Sequence, residues 1–352
     1  MSTSVRTPRL LALFVCVLAG LSASPSASPA RAKRSWALPQ IRLVVDRGLM
    51  APSVAAFRPN ASLTQGELSE LVTELSQLQP SSIQRPAAAA RRAAAPVTMA
   101  QLDAQLVRAL GFEEEATSFQ QAAATAGLRP PGRFGTEVVA RLLGLRTNHP
   151  ADQEELERVP TDPAPRAEAA YSVARILSLS SWDRESVETA ATGFELPAFT
   201  PWQRRVLTTA VGFLGFAYVW GGESEYPESP FGVQARGGFD CSGFAWRVYK
   251  LQSYAGAPQL ATTLRGRTAA AMAGEVPVRQ RVKRARLAPA DLLFFGPGGR
   301  TARPAQIDHM AIYLGNGWLI HSSRYGVALA PVTGWYDQRL AWGRRPLAEA
   351  GL

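Results

Sequence analysis

Residues 308–321 read Asp308-His309-Met310-Ala311-Ile312-Tyr313-Leu314-Gly315-Asn316-Gly317-Trp318-Leu319-Ile320-His321. Two apolar runs flank Gly315-Asn316-Gly317, whose residue types accept the positive φ of a hairpin turn, so the stretch predicts two antiparallel strands. Register decides what this hairpin carries, because a one-residue slip moves every side chain to the other face. With a three-residue loop, Leu314 pairs with Trp318, Ile312 with Ile320 and Ala311 with His321. Met310, Ile312, Leu314, Trp318 and Ile320 then form a core face. His309 and His321 share the opposite face as a diagonal pair, about 7–8 Å apart at the backbone. A two-residue turn at Asn316-Gly317 would separate the histidines; the apolar pairing favours the longer loop.

Upstream, Ala290-Asp291-Leu292-Leu293-Phe294-Phe295 predicts a third strand, and Val206, Leu207, Ala210, Val211 and Leu214 lie at helical spacing between Trp202 and Phe216. Tyr218-Val219-Trp220-Gly221-Gly222 follows that helix. Phe239-Asp240-Cys241-Ser242-Gly243-Phe244 then leads into Ala245, Trp246, Val248 and Tyr249, so Cys241 falls where a loop enters a helix. A helix N-terminus lowers a thiol pKa, and its free N–H groups can hold a developing oxyanion. The chain has two cysteines, Cys16 and Cys241, and three histidines, His149, His309 and His321. A Cys-His-His arrangement follows, in which His309 takes the thiol proton and returns it to a leaving amine, while His321 fixes the His309 tautomer. Cys241, His309, His321 and Asp308 also compose a zinc-type donor set.

In these pieces, with Leu287-Ala288-Pro289 before the Asp291 strand, residues 205–345 resemble the NlpC family of cell-wall cysteine peptidases. The resemblance implies an α+β papain-like fold, helices packed on an antiparallel sheet, over residues 201–352. It implies Cys241 as nucleophile, His309 as base and His321 as its orienting partner, with Tyr218 lining the active site and Asp240 and Ser242 flanking the substrate peptide. It implies hydrolysis of an amide in the peptidoglycan stem peptide, typically D-glutamyl to diamino acid, through a cysteine thioester and with no metal or cofactor. Two departures stand out: Ala290 replaces the usual glycine before Asp291, and residues 296–306 look like an inserted loop that reshapes the substrate groove. A non-catalytic wall-binding protein, or an amidase or acyltransferase on the same scaffold, is the competing expectation.

The preceding half reads as small helical units. Trp36, Ala37, Ile41, Val44 and Val45 lie at helical spacing before a stop at Gly48. Thr64 and Glu67 form a capping-box pair ahead of Leu68, Leu71, Val72 and Leu75. Thr98, Gln101, Leu102, Leu106 and Leu110 make a fragment; Thr136-Glu137 opens another unit and Pro165-Arg166-Ala167-Glu168 a third. This half resembles degenerate S-layer homology modules, an all-α region over 33–178 with a linker at 81–95. The family's T-R-x-E opening survives as Thr64-Gln65-Gly66-Glu67 and Pro165-Arg166-Ala167-Glu168. The resemblance implies binding of an anionic secondary cell-wall polymer. Residues 179–200 read as a second linker.

Residues 1–32 read as a signal peptide: Arg6 and Arg9, an apolar run from Leu10 to Leu21, and an Ala30-Arg31-Ala32 site. Cleavage removes Arg6, Arg9, Arg31 and Cys16 and lowers the formal charge from +10 to +7. No later stretch is long and apolar enough to span a bilayer, so a secreted, wall-associated protein is expected. The run Arg279, Arg281, Lys283, Arg284 and Arg286 reads as a solvated strand edge or an attraction to the anionic wall. Nucleic acid is not an expected partner, since no stacking aromatics accompany the charges.

Overall fold

The computed structural model describes residues 35–78, 93–227 and 237–352. The expected signal peptide and residues 81–92 of the expected linker lie outside them. Eight helices come first: α1 (Leu38–Asp46), α2 (Gln65–Leu78), α3 (Met99–Ala109), α4 (Glu113–Thr125), α5 (Phe134–Leu142), α6 (Arg166–Ile176), α7 (Ser181–Thr192) and α8 (Pro201–Gly212). Among the described residues, no helix is long and apolar enough to cross a membrane.

Local chemistry explains how these helices open. Thr64 Oγ1 accepts from the Glu67 N–H at 3.3 Å while the Glu67 carboxylate accepts from the Thr64 N–H at 2.8 Å. Thr98 and Gln101 repeat this reciprocal cap on α3. The segments before α2, α3 and α6 then pair in a closed ring. Leu63 N–H donates to Ala164 O at 2.8 Å, Val97 N–H to Leu63 O at 2.8 Å, and Ala164 N–H to Val97 O at 2.7 Å. The helix opening that pairs with those of α2 and α6 is the one at Thr98-Gln101, not the one expected at Thr136-Glu137. The latter pair lies inside α5, which has no side-chain cap, and Glu137 is buried against Arg141.

Residues 179–200, expected as a linker, are structured. A Ser180–Asp183 capping box opens α7, and Phe194 and Phe199 are buried beyond it. Phe194 packs edge-on to Trp318 at 4.9 Å and beside Phe119 at 5.1 Å. Apolar residues of the helices and of the later sheet thus form one continuous core. Polar bonds cross the same boundary: Arg133 donates to Gly212 O and Leu214 O, Arg141 to Gly215 O, and Asn148 N–H to Arg324 O at 2.8 Å.

The buried centre of the helical half is ionic. Arg146 bonds Asp103 at 3.0 Å and Glu168 at 3.2 Å, and the His149 ring lies between Glu157 at 3.2 Å and Glu168 at 2.9 Å. Burial opposes the imidazolium, but hydrogen bonds and charge from the two carboxylates outweigh it and push His149 up to about 9. Burial dominates at Glu157 and raises it, whereas Glu168, paired with both His149 and Arg146, is held low despite its burial. A histidine raised on folding gives its full stabilisation below its unfolded pKa of about 6.5 and loses it as pH rises through the folded value. The chain should therefore lose a few kcal/mol between pH 6.5 and about 9, at about 1.4 kcal/mol per pH unit. Thermal unfolding at both ends of that window should show a smaller alkaline loss in His149→Gln. Equal losses in the two proteins would remove His149 as the cause.

The C-terminal part adds a two-stranded ladder, β1 (Glu223–Ser224) with β2 (Gly238–Phe239), and helices α9 (Cys241–Trp246) and α10 (Ala269–Gly274). Its sheet consists of β3 (Leu292–Phe295), β4 (His309–Gly315), β5 (Trp318–Ser323), β6 (Gly326–Pro331) and β7 (Leu340–Arg344), in the antiparallel order β6-β5-β4-β3-β7. Helix α11 (Gly334–Arg339) precedes β7 and α12 (Pro346–Glu349) follows it. Leu292, Phe294, Met310, Ile312 and Ile320 belong to the main core, while Leu293, Phe295, Ala311 and Leu319 form a smaller cluster.

The hairpin keeps the expected register by an unexpected route. Ile312 pairs with Ile320, but the ladder then steps from Tyr313↔Leu319 to Gly315↔Trp318. Asn316 and Gly317, at φ 47° and 80°, make a tight two-residue turn. Leu314 is the extra residue of a bulge, and that bulge restores the face that a two-residue turn alone would have reversed. At the start of β3, Ala290 occupies the left-handed region at φ 69°. That costs about 1 kcal/mol in an L-residue, which explains the glycine expected there. The conformation is held by Ala290 N–H to Tyr313 O at 2.8 Å and by the Tyr249 hydroxyl on Ala290 O. The basic run forms 3-10 turns at Val278–Gln280 and Arg284–Arg286 with a single bridge, Val282 to Gly343, rather than a full edge strand.

Candidate active site

Two loops build the entrance to α9. Residues 217–222 pair with residues 238–240: Phe239 N–H donates to Ala217 O at 3.1 Å and Asp240 N–H to Gly222 O at 3.1 Å. Asp240 caps α9, its carboxylate accepting from the Gly243 N–H and, at 3.0 Å, from the Gly221 N–H. Residue 243 must be glycine, because a Cβ there would stand 1.9 Å from Gly222 O. Cys241 is thereby fixed as the first residue of α9. It is half-buried, and the N–H groups of Ser242 and Met310 both point at its sulfur. The Met310 contact places the thiol against β4, beside His309.

The two histidines meet as the register requires, with His309 Nε2 2.8 Å from His321 Nδ1. The nitrogens face each other in a hydrogen bond; they do not converge on a point that a shared metal would occupy. His321 is 2% exposed, and its Nε2 lies 3.2 Å from the Tyr336 hydroxyl. Asp308, beside His309, is paired with Arg339.

Electrostatics corrects one expectation. Burial first, and then the Asp240 charge, push the Cys241 thiol up to about 12, although the Met310 and Ser242 N–H groups and Arg267 pull it back. Helix α9 is short and its cap is itself a carboxylate, so its dipole does not yield a free thiolate. Burial likewise pushes His309 down to about 4, against the pull of Asp308, and His321 well below its ordinary value. These directions all favour the uncharged form of the thiol and of both rings. An uncharged thiol beside an uncharged imidazole can react by general-base transfer, the proton leaving sulfur as it attacks.

Tyr218 is half-buried next to Cys241; burial and the Cys241 charge raise its phenol. Asp240 and Ser242, expected to flank the substrate peptide, are 9% and 5% exposed and bonded within the protein. The Ser242 hydroxyl donates to Asp240 Oδ1 at 2.9 Å. Arg267, which the sequence reading missed, reaches Glu223 at 2.6 Å, Asp240 at 3.1 Å, Ser242 Oγ at 2.9 Å, and the carbonyls of Gly221 and Gly222. A buried cap carboxylate calls for a cation, but nothing local selects Arg267 among so many arginines.

A cysteine opening a helix, against a sheet that presents two hydrogen-bonded histidines, defines a papain-like α+β domain with a thiol–imidazole site. The NlpC/P60 family model matches residues 215–345, and this C-terminal part of the chain is an NlpC/P60 domain. A gamma-D-glutamyl-L-lysine dipeptidyl-peptidase from Bacillus subtilis is 32% identical over 148 residues, 41% of this chain and 41% of that protein. Murein DD-endopeptidase MepH from Escherichia coli is 33% identical over 113 residues, 32% of this chain and 33% of that protein. The chain thus spans about two fifths or less of these curated relatives. A crystal structure of an NlpC/P60 family protein from Bacillus cereus is 27% identical with a TM-score of 0.32, covering 44% of this chain and 43% of that one.

Proposed function

We propose that this protein is a cysteine peptidase that hydrolyses an amide bond in the peptide stem of peptidoglycan, γ-D-glutamyl to diamino acid. The observation that carries this reading is Cys241 at the start of α9, its sulfur taking the N–H of Met310, next in β4 to the His309 that is bonded to His321. The names of the related proteins support the substrate class. His309 takes the thiol proton as sulfur adds to the carbonyl, then delivers it to the departing amine; water cleaves the thioester by the reverse relay. Export by the N-terminal segment and a wall-associated location belong to the same reading, since peptidoglycan lies outside the membrane.

The helical half is proposed to hold the enzyme on the wall in the manner of S-layer homology modules. Two of the helix openings that pair in the ring are the segments that carry that resemblance, which supports this reading. Arg166 lines a pocket with Arg58, Glu67 and Glu70, where it is buried and bonds Glu67, Met50 O and Phe57 O.

One experiment tests both parts. Isolated cell walls incubated with the full chain should release stem fragments cut after D-glutamate, read by mass spectrometry, and should retain the protein in the pellet. Walls and purified muropeptides left uncut would overturn the peptidase reading, and protein left in the supernatant the wall-binding one.

A further inference from the structure

The row of polar atoms that begins at His309 continues past His321. One His321 nitrogen, Nδ1, meets His309 Nε2 at 2.8 Å; the other, Nε2, meets the Tyr336 hydroxyl at 3.2 Å. Tyr336 is fixed from both sides. Its N–H bonds to Thr333 O at 3.1 Å. Its ring stands edge-on to His321, with centroids 5.2 Å apart at 81°, and edge-on to Phe295 at 5.6 Å. It packs on the cluster of Leu293, Phe295, Ala311 and Leu319 on the histidine face of the sheet.

Proton counting gives this contact a role. Each neutral ring carries one hydrogen, so the row has two arrangements. In the first, Tyr336 donates to His321 Nε2, His321 Nδ1–H donates to His309 Nε2, and the His309 hydrogen sits on Nδ1. His309 then has no lone pair for the thiol proton. In the second, His309 Nε2–H donates to His321 Nδ1, His321 Nε2–H donates to the Tyr336 oxygen, and His309 Nδ1 is free to accept. Only the second supports the reaction. It also suits the imidazolium that follows, because His309 Nε2–H then needs a lone pair on His321 Nδ1. That arrangement requires an acceptor opposite a nitrogen that is nearly sealed from water, and the Tyr336 oxygen is there.

Resting on the peptidase reading above, we propose that Tyr336 is a positioning residue, whose hydroxyl oxygen accepts the His321 Nε2 hydrogen and so holds His321 in the tautomer that makes His309 a base. The proton in flight moves from Cys241 Sγ to His309 Nδ1 and later to the leaving amine. The hydrogens on His309 Nε2 and His321 Nε2 stay in place, and Tyr336 neither gains nor loses one.

The test is Tyr336→Phe in the full chain, which keeps the ring and removes the oxygen. On a muropeptide substrate kcat should fall about tenfold, the effect of one buried hydrogen bond, with KM within twofold because Tyr336 is not asked to bind substrate. Nitrogen-15 NMR of the histidine-labelled protein should show His321 protonated at Nε2 in the wild type, with the Nδ1–H tautomer growing in the variant. An unchanged kcat, a loss confined to KM, or an unchanged tautomer would overturn the proposal. If the wild type cleaves no muropeptide, the peptidase reading fails and the NMR comparison alone decides the place of Tyr336.

Discussion

Cys241→Ala should abolish stem-peptide hydrolysis, with kcat/KM falling by roughly 10⁴-fold or more, as when the nucleophile of a coupled catalytic group is deleted. The expected size follows from the protonation of the site. The thiol is pushed up to about 12 and His309 down to about 4, so neither acts alone at neutral pH. Without the sulfur, His309 has no proton to take and nothing forms the thioester. The fold should hardly notice, since Cys241 is half-buried and alanine suits the first turn of a helix. Matched melting curves and a digest read by mass spectrometry would check both halves of this expectation. Cleavage persisting at the wild-type rate would sink the thiol mechanism.

Arg267→Met should damage stability and activity together. The guanidinium bonds Glu223, Asp240 and Ser242 and the carbonyls of Gly221 and Gly222. Methionine fills similar space but leaves Asp240, 9% exposed, beside Glu223 with no cation. Breaking a buried pair from one side costs about 3–5 kcal/mol. The same contacts clamp the loop carrying Tyr218 to the cap of the Cys241 helix, so kcat/KM should drop roughly 100-fold through misplacement. Arg267→Lys should not restore it, because one ammonium cannot reproduce a planar fork of donors. Denaturant titration and steady-state kinetics on both variants provide the check. A methionine variant within 1 kcal/mol of wild type and fully active would show the clamp to be dispensable.

What could be read from the sequence follows how local each signal is. The hairpin was legible because alternation over Met310–Leu314 and Trp318–Ile320 reports burial directly, and Ile312↔Ile320 is the observed pair. The bulge at Leu314 was not, since no single residue marks it; the expected loop length was wrong while the face was right. Cys241 was readable as a helix start because an apolar helix follows it. The sequence points to a depressed thiol through the dipole, but burial and the cap carboxylate, which push it the other way, are properties of the folded surroundings. Arg267 and Tyr336 act across long separations in chain, and β6 and β7 are short strands recognised as such only beside β5 and β3. The stretch 179–200 looked like a linker because its buried aromatics, Phe194 and Phe199, find their partners on other elements.

The ring of helix openings bears on the order of assembly. Leu63 and Val97 are joined to each other, but both remain without their third member until Ala164 arrives about a hundred residues after Leu63. A chain emerging from its N-terminus must therefore carry α2 and α3 as incomplete structures through most of the helical half. Closing such a long loop is slow relative to forming local helices. The Trp318 contact with Gly193 and Phe194 defers the rest further, because it waits for the sheet. Nascent chains cut before residue 164 should then be held by chaperones or lost to proteases.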